Sequence, residues 1–162
     1  MRSTHRERGH DWEAGMSLLE LIISCCILTI LATAALPVAR YTVLREREGE
    51  LKHDLREMRD AIDRYKEYSD RGLIRVKMGT QGYPPDLETL AKEVPISGTG
   101  SSSKMLRLLR RIPVDPMTKQ ADWGLRSVGD DPDSTTWSGD NVYDVYSRST
   151  GTALDGTKYS DW

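Results

Sequence analysis

The stretch Ala14-Gly15-Met16-Ser17-Leu18-Leu19-Glu20-Leu21-Ile22-Ile23-Ser24-Cys25-Cys26-Ile27-Leu28-Thr29-Ile30-Leu31-Ala32-Thr33-Ala34-Ala35-Leu36-Pro37-Val38-Ala39 governs how the rest of the chain is read. From Met16 to Ala39 the single charged residue is Glu20, in a chain of 162 residues with 23 Lys+Arg and 25 Asp+Glu. At a helical rise of ~1.5 Å per residue, about 20 apolar residues cross the ~30 Å core of a bilayer. The length therefore predicts a membrane-crossing helix over 16–39. Ser24, Thr29 and Thr33 are compatible with it, because a helical hydroxyl bonds a carbonyl one turn back. Glu20 is not explained by an anchor alone, since a carboxylate inside a spanning helix is costly unless it lies at the interface or is paired.

The remainder is a different material. Net charge is -2, and Lys and Arg alternate with acids rather than forming a basic stripe. Nucleic-acid binding is therefore not expected. The two cysteines, Cys25 and Cys26, are adjacent and lie within the apolar run. That excludes a disulfide framework and a cysteine zinc site. His5, His10 and His53 are the only histidines. No Ser-His-Asp arrangement, HExxH motif or paired-acid cleft is visible, so the chain is read as a non-enzyme. The Gly/Ser run at 97–103 lacks the Gly-Lys-Ser/Thr of a P-loop and reads as a loop.

Beyond the apolar run, Leu51, Leu55, Met58, Ile62 and Tyr65 form one helical stripe. The other faces are charged, with i,i+4 pairs such as Glu48–Lys52. Gly72 is the expected stop. Asp86 is placed to cap a short helix through Leu87, Leu90 and Ala91. Met105–Leu109 is expected to add a second one. Trp123–Val128 and Asn141–Ser147 read as short strands of one small antiparallel sheet packed on the stripe. The expected class is α+β: a long N-terminal helix, half membrane and half amphipathic, on a small C-terminal antiparallel sheet.

The front end resembles the class III signal of type IV pilins and pseudopilins. A polar leader ends at Gly15, Met16 follows, and Glu20 comes five positions after the glycine. The resemblance implies a cytoplasmic leader at 1–15, a transmembrane or fibre-core helix at 16–39 and a periplasmic pilin-like domain at 40–162. It implies cleavage by a prepilin peptidase between Gly15 and Met16, with N-methylation of Met16. Glu20 would neutralise the N-terminal amine of a neighbouring subunit. Pro37 matches a proline common in these helices and is expected to kink the helix.

The later motifs narrow the resemblance. Tyr83-Pro84, Leu109-Arg110-Arg111-Ile112-Pro113-Val114-Asp115-Pro116, Tyr143-Asp144-Val145-Tyr146-Ser147 and a terminal Asp161-Trp162 follow in the order seen in the major, G-type pseudopilins of type II secretion. Departures occur at Met117-Thr118, where the family has Trp-Gly, and in a C-terminal loop with fewer acids. That family binds calcium in this loop. Calcium takes about six to eight oxygen ligands; here the resemblance points to Asp155 and Asp161, with Ser147, Ser149 and the Leu154 carbonyl. Asp130, Asp131, Asp133 and Asp140 are a weaker second candidate.

The implied function is a structural subunit of a type II secretion pseudopilus, assembling by helix packing to drive protein export across the outer membrane. Implied partners are copies of the chain, minor pseudopilins, prepilin peptidase, an inner-membrane secretion platform and, before assembly, membrane lipid. The implied location is the inner membrane, single-pass, with the C-terminal domain periplasmic. A type IV pilin or competence pseudopilin shares the front end. A membrane-tethered periplasmic calcium-binding module that never polymerises is the alternative of a different class.

Overall fold

A computed structural model describes residues 17–97 and 104–162, without the side chains of 34–39 and 104. The leader and the Gly15–Met16 junction lie outside the described residues, as does the loop at 98–103. The chain divides into two compact units, Met1–Tyr41 and Thr42–Trp162.

Helix α1 runs Leu18–Asp70 and supplies residues to both units. Its Leu, Ala, Glu, Arg and Lys favour the helix, against the cost of Pro37 and Gly49 within it. Ser17 caps its start: its Oγ accepts from the Leu19 amide at 3.3 Å and its carbonyl from the Leu21 amide at 3.1 Å. Thr29 and Thr33 return their hydroxyls to the carbonyls of Cys25 and Ile30. At the far end the Gly72 amide donates to Ser69 O and the Leu73 amide to Tyr68 O. Gly72, at φ 67°, adopts the left-handed conformation that this pair of bonds requires.

The second unit is organised round one face of α1. Leu51, Met58 and Ile62 are fully buried, with Leu55, Ala61 and Tyr65 close to it. They share one core with Leu90, Val94, Leu109, Trp123, Val142, Val145 and Tyr159. Helix α2, Leu87–Ala91, is capped by Asp86, whose carboxylate accepts from the Thr89 amide. Strand β1, Val94–Ile96, pairs antiparallel with β2, Lys104–Leu106. Strand β3, Trp123–Arg126, pairs antiparallel with β4, Asp144–Ser147. A short 3-10 helix, Tyr159–Asp161, follows.

Two expectations are corrected. The small sheet is not alone: β3 and β4 pair with each other as expected, but a second two-stranded antiparallel sheet, β1 with β2, forms as well. Met105 and Leu106 lie on a strand, not in a second short helix, because β2 finds its partner in β1. The expected fold, a helix with a membrane half packed on a single sheet, is thus not the one formed.

The transmembrane segment is corrected as well. Among the described residues no helix is long and apolar enough to cross a membrane. Glu20 lies within the apolar run, and from Arg40 onward α1 is densely charged. The expected transmembrane helix, and with it the single-pass inner-membrane location with a periplasmic domain, therefore finds no support.

Candidate functional site

Two regions hold the residues singled out from the sequence. The first is the start of α1. Glu20 lies in its first turn and is exposed. Around it Leu18 is 77% exposed, and Leu19, Leu21, Ile22, Ile23, Ile27, Leu28, Ile30 and Leu31 are also exposed. Cys25 and Cys26 are free and exposed among them. The helix continues through Pro37. Within this unit, then, the described residues present a large exposed apolar surface that carries one acid.

The second region is the C-terminal loop, which is held against the charged side of α1. Glu48 and Lys52 were expected to pair with each other; no ion pair joins them. Instead Glu48 Oε1 accepts from the Leu154 amide at 2.8 Å and from the Tyr159 hydroxyl at 3.0 Å. Lys52 Nζ sits 4.0 Å above the Trp162 ring. Arg59 donates to Asp144 Oδ1, to the Val145 carbonyl and to the Trp162 carbonyl. Burial and the Glu48 contact push the Tyr159 phenol up to about 12.

The five residues named for calcium are placed as follows. Ser147 is fully buried and donates its hydroxyl to Asp115 Oδ2 at 2.6 Å. It also accepts from the Ser149 amide at 3.1 Å. Asp155 is exposed and closes an Asp-Gly turn, its Oδ1 accepting from the Thr157 hydroxyl and amide. Those bonds, the hydroxyl's foremost, hold its carboxyl below the usual range. Asp161 is exposed and accepts from the Ser160 hydroxyl. Leu154 lends its amide to Glu48.

Ser147 and Ser149 also line a cavity of about 420 Å³ with Arg148, Lys158 and Ser160. That lining contains two cationic side chains and no carboxylate. A calcium ion needs the reverse, and the Ser147 oxygen is already engaged. The lining of this cavity does not fit calcium, and it does not include Asp155, Asp161 or Leu154. The polar loop after β3 is no better: Asp130 is occupied by the amides of Ser127 and Ser138, which hold its carboxyl low, the Ser127 amide foremost.

Sequence reasoning missed Asp115 as an interior acid. It is fully buried, and Oδ1 accepts from the Met117 amide at 2.7 Å. It also missed Asp54, 9% exposed on α1. Burial, then the neighbouring Glu50, push the Asp54 carboxyl up, with His53 opposing. The spacing signal existed: Asp54 directly precedes Leu55 of the apolar stripe, so it sits at the stripe's edge. Comparison with protein-family models, with curated proteins and with solved structures finds no match.

Proposed function

We propose that the chain is a structural subunit of a type II secretion pseudopilus, a fibre whose growth drives folded proteins out through an outer-membrane channel. The observation that supports this reading is the exposed apolar start of α1 with Glu20 in its first turn. Nine large aliphatic side chains between Leu18 and Leu31 are left in solvent. Covering a Leu or Ile removes about 1.5–3 kcal/mol of unfavourable hydration. Identical helices packed side by side provide that cover in a fibre, without any requirement that one helix cross a bilayer alone.

Glu20 then acquires a role. Once prepilin peptidase has cut between Gly15 and Met16, each chain begins with a cationic amine. A carboxylate inside an apolar fibre core is tolerated when it faces such a charge, and the pair sets the stagger between neighbours. The charged second unit forms the outer coat, where it meets minor pseudopilins and the secretion platform. The work is mechanical, and ATP hydrolysis belongs to a separate motor.

Cross-linking and electron microscopy of Glu20→Ala in secreting cells test this. Fibres should be lost, while thermal melting of the second unit stays unchanged. Normal fibres with the variant, or retention of residues 1–15 in the assembled protein by mass spectrometry, would sink the proposal.

A further inference from the structure

One turn of α1 carries His53, Asp54 and Glu57, whose ligand atoms all lie within 4.8 Å of one another. His53 and Glu57 are four apart and exposed, so both are free to rotate; Asp54 is the buried member. Asp54 is only 9% exposed, yet no hydrogen bond from another described residue reaches its carboxylate. Among the described residues no fully buried side-chain polar atom is left unpaired. What Asp54 retains is therefore oxygen open to an outside partner. Its surroundings are negative: Glu50, Glu57 and the interior Asp115 all act on it, opposed by His53.

We propose that His53, Asp54 and Glu57 bind a divalent transition-metal ion of the zinc type. Imidazole selects zinc, copper or nickel over calcium and magnesium, which prefer oxygen alone. Zinc holds nitrogen and carboxylate oxygen at about 2.0–2.2 Å, so ligand atoms on one ion stand at most about 4.4 Å apart, twice that distance. The ligand atoms already lie within 4.8 Å of one another, so at most a small rotation of exposed His53 or Glu57 is needed to bring all three onto one ion. Three protein ligands leave a position for water or for a group from another molecule. The ion would also neutralise a carboxylate that the fold crowds with like charge. This site is independent of the fibre reading and of the C-terminal loop.

The test uses the full chain with Cys25→Ser and Cys26→Ser, so that thiolates do not contribute. Zinc is titrated by calorimetry and by thermal melting, with calcium in parallel. Saturable binding of one zinc per chain and a rise in melting temperature with zinc, not calcium, are expected. His53→Ala and Glu57→Gln, both at exposed positions, should each weaken binding by at least about tenfold. Asp54→Asn should abolish the zinc response while leaving the metal-free melting temperature equal or higher. The proposal is overturned by absence of saturable zinc binding, by unchanged affinity in His53→Ala, by loss of binding only on replacing His5 and His10, or by calcium binding as tightly as zinc.

Discussion

Arg59 Nη2 donates to the carbonyl oxygen of Trp162 at 2.7 Å, across 103 positions of sequence. The same guanidinium reaches Asp144 Oδ1 at 2.7 Å and the Val145 carbonyl at 3.0 Å. One side chain of α1 thus ties down both β4 and the C-terminal loop. Its planar fork allows this; an ammonium offers one point of charge. Arg59→Ala is expected to lower stability by about 2 kcal/mol, the discounted value of charge-assisted bonds at a partly exposed site. Arg59→Lys should recover less than half. Chemical denaturation of both variants gives the comparison, and a Lys variant equal to the parent would refute the role of the fork.

Gly124 and Tyr146 face each other across β3 and β4. A Cβ on Gly124 would stand 2.1 Å from Tyr146 Cζ. The ring cannot simply swing away, since it is buried and Arg126 lies 4.1 Å over it. Gly124→Ala should therefore cost about 1–3 kcal/mol as an overpacked site. Urea melts should show a lower midpoint. The double variant Gly124→Ala, Tyr146→Leu should recover part of the loss if the clash with the ring is its cause.

Ser147 and Asp115 are both fully buried and bonded at 2.6 Å. Ser147→Ala strips a partner from an interior carboxylate. About 1–3 kcal/mol of stability should be lost. Asp115→Asn in the Ser147→Ala background should be less damaging than additive, because the second change removes the stranded charge. Strict additivity in the cycle would show that the two groups are not coupled.

Tyr159 has its phenol raised from the ordinary 10.0 to about 12, by burial first and then by Glu48. The folded chain keeps this proton when the unfolded chain has lost it. The contribution is therefore complete below pH 10 and is lost as pH rises through about 12. Stability measured across that window should fall, and Tyr159→Phe should flatten the part of the fall due to this residue. Glu48→Gln should move the phenol titration, followed by absorbance, to lower pH.

Local features were legible in the sequence because they depend on local spacing. Leu51, Leu55, Met58, Ile62 and Tyr65 mark a buried helical face whatever covers them, and Asp86 caps α2 through a bond three residues long. The pairing of Trp123–Arg126 with Asp144–Ser147 followed from alternation and an intervening polar turn. The class of the whole did not follow. Whether four short strands make one sheet or two is decided by which edges meet, and Met105–Leu106 is a strand only because Val94 and Pro95 lie opposite.

The candidate site divides in the same way. Composition and motif set out an apolar run with one acid, Glu20, and offered no disulfide framework and no P-loop motif. Only the tertiary structure decided what the charged half of α1 does. Glu48, Lys52 and Arg59 read as a solvated face, since helical spacing offers each a neighbour of opposite sign. In the folded chain they hold Leu154, Tyr159, Trp162 and Asp144 instead: these partners are fixed in place by the fold, whereas an exposed i,i+4 pair gains little for holding two long side chains in one geometry. For the same reason Ser147 is matched with Asp115 rather than with Asp155. Sequence determines which groups carry charge and which faces are apolar; chain closure over tens of residues determines which of those groups meet.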